Sequence, residues 1–349
     1  MAYTDIDKPS DYFETKLYTG TQQARNITGL DFAPNWVWIK KRTGASGTSN
    51  HYLFDSVRGA SKTLFSNATN AEDTNTNSLT AFNSDGFSLG NDTDVNVNNG
   101  TFVSWNWKAG TSFSNNSGAN GASLASTGSV STTAGFSIIS WTSPNSNANT
   151  IAHGLGSVPK MIIMKKRGSS GGWVVYHQAM GNTHGMFLST TNAKEDNAGF
   201  FNDTSPTSAV FTTGSDDGLI NNTMIAYCFS EKTGFSKFGS YTGNGNADGT
   251  FVFLGFKPAF VIVKRTDASN YWFMFDNKRS TSGSNPTDKE LYPNGNEAED
   301  TSARFDFLSN GFKNRINSAG SNASGATYIY MAFASNPFVS SSGVPATAK

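Results

Sequence analysis

Charge is what this 349-residue chain has least of. Asp, Glu, Lys and Arg make up 15% of it, against roughly a quarter in an ordinary soluble protein. The 26 basic and 26 acidic residues cancel to a formal net charge of zero. A duplex-binding surface needs a basic excess to displace counterions from phosphate, so no nucleic-acid partner is expected. Cysteine is nearly missing. Cys228 stands alone, so no intrachain disulfide framework can form and stability has to come from packing or assembly. No uncharged apolar run approaches the roughly 18 residues of a membrane-spanning helix, and Met1–Lys8 lacks the apolar stretch of a secretory signal. The expectation is a chain made in a cytoplasm, without a membrane span.

Asn, Ser, Thr and Gly take the place of the missing Lys and Glu, and aromatics reach 13%. The first group favours turns and disfavours helix; Thr and the aromatics favour strands. The composition points to an all-β protein with many loops.

One pattern occurs three times: Pro34-Asn35-Trp36-Val37-Trp38-Ile39-Lys40-Lys41, Pro159-Lys160-Met161-Ile162-Ile163-Met164-Lys165-Lys166 and Pro258-Ala259-Phe260-Val261-Ile262-Val263-Lys264-Arg265. Four consecutive apolar residues after a proline suit a strand buried on both faces, with the proline near its start. The basic pairs are expected as solvated strand ends. Each copy continues through an aromatic strand (Tyr52–Asp55, Trp173–His177, Tyr271–Asp276), a Glu-Asp loop, an Asp-Gly or Asn-Gly turn and a closing strand. The proline and the last aromatic of the closing strand lie 73, 70 and 75 residues apart in the three copies. A recurring order of five landmarks predicts an internal triplication.

The predicted organisation is an N-terminal arm over 1–17, a first repeat over 18–110, a charge-free Ser/Gly/Asn linker over 111–134, a second repeat over 135–233, a third over 234–338 and a tail over 339–349. Six to eight short strands in about 100 residues suit a β-sandwich of jelly-roll or lectin-like type, giving three tandem sandwiches strung as beads. The arm is read either as a docking segment, with Asp5, Ile6, Tyr12 and Phe13 as assembly contacts, or as a frayed terminus.

No residues group into a recognisable catalytic or metal constellation. The acidic pairs Glu72/Asp73, Glu195/Asp196 and Glu299/Asp300 read as structural loops rather than as calcium or acid–base sites, because a catalytic site is seldom kept in three copies. His51, His153, His177 and His184 lack metal-ligand spacing. His177 stands where Asp55 and Asp276 stand, which reads as a polar strand end. The glycines make neither a phosphate cradle nor a nucleophile elbow. No catalytic residue, metal or cofactor is assigned. The aromatics remain: Tyr52, Trp173, Tyr271 and Trp272 are the candidates for a glycan- or partner-binding surface.

The opening Asp5-Ile6-Asp7-Lys8-Pro9-Ser10-Asp11-Tyr12-Phe13, the Pro34–Lys40 stretch, Leu53-Phe54-Asp55-Ser56-Val57-Arg58-Gly59 and the ending Ala332–Phe338 resemble structural proteins of tailed bacteriophages, often described as tail-fibre-like. The second unit departs from this pattern at Val175-Tyr176-His177-Gln178. The resemblance implies a non-enzymatic virion component made in a host bacterium, with other virion proteins and a host surface glycan or receptor as partners. A tail fibre or adhesin is the first expectation, a capsid decoration protein the second, a free glycan-binding or glycan-degrading protein the third. Homo-oligomerisation is expected.

Overall fold

The computed structural model describes residues 3–43, 49–145, 148–281, 283 and 285–345. The strands pair antiparallel throughout, and the two α-helical turns are four residues each. Three large sheets repeat one strand order. In the first, an opening strand Phe13–Thr19 lies beside the closing strand Thr101–Trp107, then the proline strand Trp36–Thr43, then the aromatic strand His51–Asp55. The second repeats it with Phe136–Ser143, Asn222–Phe229, Met161–Lys166 and Trp173–His177. The third does so with Ser236–Thr242, Thr327–Pro337, Phe256–Arg265 and Trp272–Asp276. Pro34 and Pro159 precede their strands, whereas Pro258 sits inside its strand at a β-bulge, where a missing N–H is tolerated.

Side chains alternate across a strand, so a run of four apolar residues has two faces to bury. One face of each large sheet packs on smaller strands of its own unit. Val37, Ile39 and Phe54 meet Ile27, Leu79 and Phe87 in this way, and the second and third units each hold a separate cluster of the same kind. The other faces meet one another. Trp36, Trp38, Trp105, Trp107, Ile163, Tyr227, Phe229, Phe260, Met274 and Phe333 belong to one apolar core drawn from all three units. Trp36 stacks on Tyr227 at 4.3 Å, Trp107 meets Phe333 at 5.8 Å, and Phe229 meets Phe333 at 6.0 Å. The units are therefore not beads. Separate beads would leave the second face of each proline strand in water, at about 25 cal/mol per Å² of apolar surface.

The stretch 111–134, read from composition as linker, holds two strands, Thr111–Asn115 and Ser126–Ser131, which extend the second sheet beyond Phe136–Ser143. Thr and Ser serve as well in an edge strand as in a linker, and composition alone does not separate the two.

The N-terminal arm is neither frayed nor directed outward. Thr4 and Asp5 bond Thr233, Ile6 is buried in the shared core, Tyr12 approaches Phe235 at 6.1 Å, and Phe13 lies between Trp107, Phe260 and Phe333 at 4.9–5.4 Å. Of the residues expected as assembly contacts, Ile6, Tyr12 and Phe13 thus close the core of their own chain, and Asp5, exposed, ties the arm to Thr233.

Candidate functional site

The basic pairs turn inward. Lys40, Lys165 and Lys264 are fully buried, and each reaches a backbone carbonyl of the preceding unit in the ring at 3.1 Å: Lys40 to Asn296, Lys165 to Thr69 and Lys264 to Thr191. The contacts run third unit to first, first to second, second to third, and so close a ring. Burial, reinforced by the adjacent Lys41, Lys166 and Arg265, pushes Lys40 down to about 7 and Lys165 and Lys264 to about 8. A tryptophan at the start of the aromatic strand repeats the direction. The indole of Trp173 donates to the carbonyl of Phe65 at 2.7 Å, and that of Trp272 to the carbonyl of Phe187 at 3.1 Å.

A quartet of charges fills the first-to-second junction. Asp55 and Arg58 are wholly buried and paired at 2.5 Å; Arg58 reaches Glu72 at 3.4 Å, and Glu72 is gripped by both Nε and Nη2 of Arg167 at 2.8 and 3.0 Å. The third-to-first junction repeats it. Asp276 pairs with Arg279 at 2.5 Å, Arg279 reaches Glu299 at 3.1 Å, and Glu299 takes two hydrogen bonds of 2.8 Å from Arg42. The aspartate also accepts from the neighbouring closing strand, through Tyr227 Oη to Asp55 at 2.8 Å and Trp105 Nε1 to Asp276 at 2.9 Å. Forked guanidinium–carboxylate contact of this kind satisfies charges that could not otherwise stay buried.

The second-to-third junction changes every member of the quartet. Thr63, Gly185 and Glu290 pair with Asp73, Glu195 and Asp300, so the residue matching Glu72 and Glu299 is Lys194, not Glu195. The backbone agrees: the N–H of Glu72, Lys194 and Glu299 donates to the carbonyl of Arg167, Thr266 and Arg42. Asp, Arg, Glu and Arg thus become His177, Met180, Lys194 and Thr266. The substitutions follow from one another. The closing strand offers Met331 where the others carry Trp105 and Tyr227, so no side-chain donor remains for an aspartate. His177 instead donates from Nε2 to the carbonyl of Tyr330 at 3.1 Å, while its Nδ1 accepts from the N–H of Ala179 at 3.2 Å. That pattern fixes the neutral ring, and burial holds it there, pushed down to about 4. With no carboxylate to balance, an arginine at 180 would be an uncompensated buried charge, and Met180 joins the shared core.

Three of the four expected surface aromatics are core residues. Trp173 and Trp272 are at most 1% exposed, and Tyr52 is 6% exposed against Phe65. Alternation on a doubly covered sheet leaves no outer face for them. Tyr271 is the exception: 38% exposed, 4.8 Å from the ring of Tyr292, with its hydroxyl 3.4 Å from Glu297. The four residues form no common surface. Of the acidic pairs, Glu72 and Glu299 are junction residues, whereas Glu195 is exposed and bonds Asn197. No cluster of metal-ligating side chains occurs among the described residues. Sequence reasoning missed Arg58, Arg279, Arg42 and Arg167. The signal for Arg58 and Arg279 was the shared Asp-x-x-Arg spacing of Asp55–Arg58 and Asp276–Arg279.

The class defined by this geometry is an all-β body of three similar units closed around one core by polar junctions. By family, the chain belongs to a domain of unknown function, DUF7483, whose model matches residues 8–337 in one continuous span. That span takes in all three units. No curated protein and no solved structure matches the chain.

Proposed function

We propose that this protein is a non-enzymatic structural component of a bacteriophage particle, built from three β-sandwich repeats of one ancestral unit and exposed to contact the host surface. One observation carries the reading: at the junctions, buried carboxylates, guanidinium groups and ammonium groups join one unit to the next. At the junctions, charge that an enzyme would turn toward a substrate is turned toward the neighbouring unit. The resemblance of residues 5–13, 34–40, 53–59 and 332–338 to tailed-phage proteins supports the virion assignment. Those segments supply the arm, the proline strand, the Asp55–Arg58 turn and the closing strand, so they speak for shared architecture. Tyr271, tilted against the ring of Tyr292 and beside Glu297, is one exposed aromatic offered for contact.

A tail-associated adhesin is the first placement. The closed ring of units, in place of an extended string, favours a capsid decoration protein as the second. Immunogold labelling of intact particles with antibody against the purified chain tests both. Gold at the tail supports the adhesin, gold over the head supports decoration, and unlabelled particles would refute a virion component.

A further inference from the structure

The second-to-third junction encloses what the other two fill. Its cavity of about 290 Å³ is lined by Met180, Lys194 and Thr266, three of the four exchanged positions, and by Ser240, Thr327 and Ile329. At the other junctions the matching positions carry Arg58, Glu72 and Arg167, or Arg279, Glu299 and Arg42, locked in ion pairs. Exchanging two arginines for methionine and threonine removes the side chains that would occupy this space. The charge is also reversed: an ammonium stands where the other two junctions hold a carboxylate. That ammonium has no ion-pair partner among the described residues, and Lys194 is exposed, so the site opens to solvent.

We propose that this cavity binds a single acidic sugar residue of the uronic-acid class. The Lys194 ammonium would take its carboxylate in place of the carboxylate that is missing from the chain. Ser240, Thr266 and Thr327 offer hydroxyl oxygens to the ring hydroxyls of the sugar, the Thr266 oxygen as an acceptor because its proton is engaged with Thr327. The Thr266 hydroxyl lies 3.1 Å from the carbonyl and 2.6 Å from the hydroxyl of Thr327, and the Thr266 N–H donates to that carbonyl at 2.9 Å, which orders the pair for a third partner. Met180 and Ile329 offer an apolar wall to the carbon face of the ring. One lone ammonium with no guanidinium fork suits a monoanionic carboxylate better than a phosphate dianion. The volume lies just under the range for drug-sized small-molecule sites, about 300 Å³ upward, which suits one ring and not a longer oligosaccharide. The assignment deepens the surface-contact reading and rests on it only for the source of the sugar.

The test is titration of the purified full-length chain with sodium D-glucuronate at constant ionic strength, followed by calorimetry and saturation-transfer NMR. D-glucose and sodium acetate serve as probes of the hydroxyl and the charge contacts taken alone. Glucuronate is expected to bind at least about tenfold tighter than either, and Lys194→Glu to weaken it by about tenfold or more, the scale of one charge-assisted hydrogen bond. The double change Lys194→Glu/Thr266→Arg rebuilds the carboxylate and guanidinium of the other junctions; it is expected to abolish binding and raise the thermal midpoint. Acetate binding as tightly as glucuronate, or glucuronate binding unchanged in Lys194→Glu, overturns the proposal. Because these titrations use no particles, their failure leaves the immunogold result standing, and unlabelled particles leave the titrations standing.

Discussion

Replacing Arg58 with methionine copies into the first unit what the second unit carries at Met180, without the changes that accompany it there. Arg58 donates to Asp55 at 2.5 Å, to the carbonyl of Leu53 at 2.8 Å and to Glu72 at 3.4 Å, with both Arg58 and Asp55 fully buried. The substitution leaves Asp55 with the N–H groups of Val57 and residue 58 and the hydroxyl of Tyr227, but no counter-charge. Stranding one member of a buried pair costs about 3–5 kcal/mol. Asp55→Asn in the native chain leaves the arginine with Glu72 at 3.4 Å as its remaining counter-charge and is expected to cost less than Arg58→Met. Combining the two removes both charges, so Arg58→Met/Asp55→Asn should lose less stability than the sum of the two single losses, by about 1–3 kcal/mol of coupling. Urea denaturation followed by tryptophan fluorescence reads this directly, because all seven tryptophans are at most 3% exposed. Additive losses, with Asp55→Asn harming Arg58→Met as much as it harms the native chain, would refute the view that these residues act as a neutralising pair.

His153 and His177 are pushed by burial from an ordinary 6.5 down to about 4. Between those values the unfolded chain binds the protons that the folded chain refuses, so stability should fall as pH drops from about 6.5 to 4, by about 3 kcal/mol for each histidine. His177→Gln, which can keep both hydrogen bonds, should flatten the pH dependence of the urea midpoint over that window. Lys264, lowered to about 8 from 10.5, acts with the same sign in a higher window: stability should rise as pH climbs from about 8 toward 10, and a midpoint that falls over this interval would contradict a buried, desolvated Lys264. Phe13→Ala should cost about 3–5 kcal/mol in the same assay, a core loss rather than the negligible effect of trimming a loose terminus.

Much of the architecture is written in local patterns. The triplication, the all-β class and the doubly buried proline strand follow from apolar runs and spacings, because strand burial obeys a short period that a single chain displays. What joins the units is less legible. Lys40, Lys165 and Lys264 look like solvated ends, since nothing in a linear sequence says that a neighbouring unit will supply carbonyls. Glu195 aligns with Glu72 by letters, but strand pairing moves the match to Lys194, and a shift of one residue exchanges inside for outside. The Tyr52, Trp173 and Trp272 surface fails for the same reason as the beads: both depend on an outer face that the other units cover. The exchange of Asp for His at position 177 was visible, but its meaning needs Met331 and Tyr330 across the junction.

The one-chain ring has a genetic consequence. In a homotrimer of identical subunits, any substitution at the junction is imposed on all three copies at once. Losing the Arg–Glu–Arg bridge there would remove it everywhere, and the assembly would lose every electrostatic seam together. Fusing three units in one polypeptide releases each junction to change by itself. Two can stay as fasteners while the third is altered step by step, its partners adjusting in pairs as His177 has with Met331, and Met180 with His177. A near-symmetric body can in this way hold one asymmetric place without falling apart.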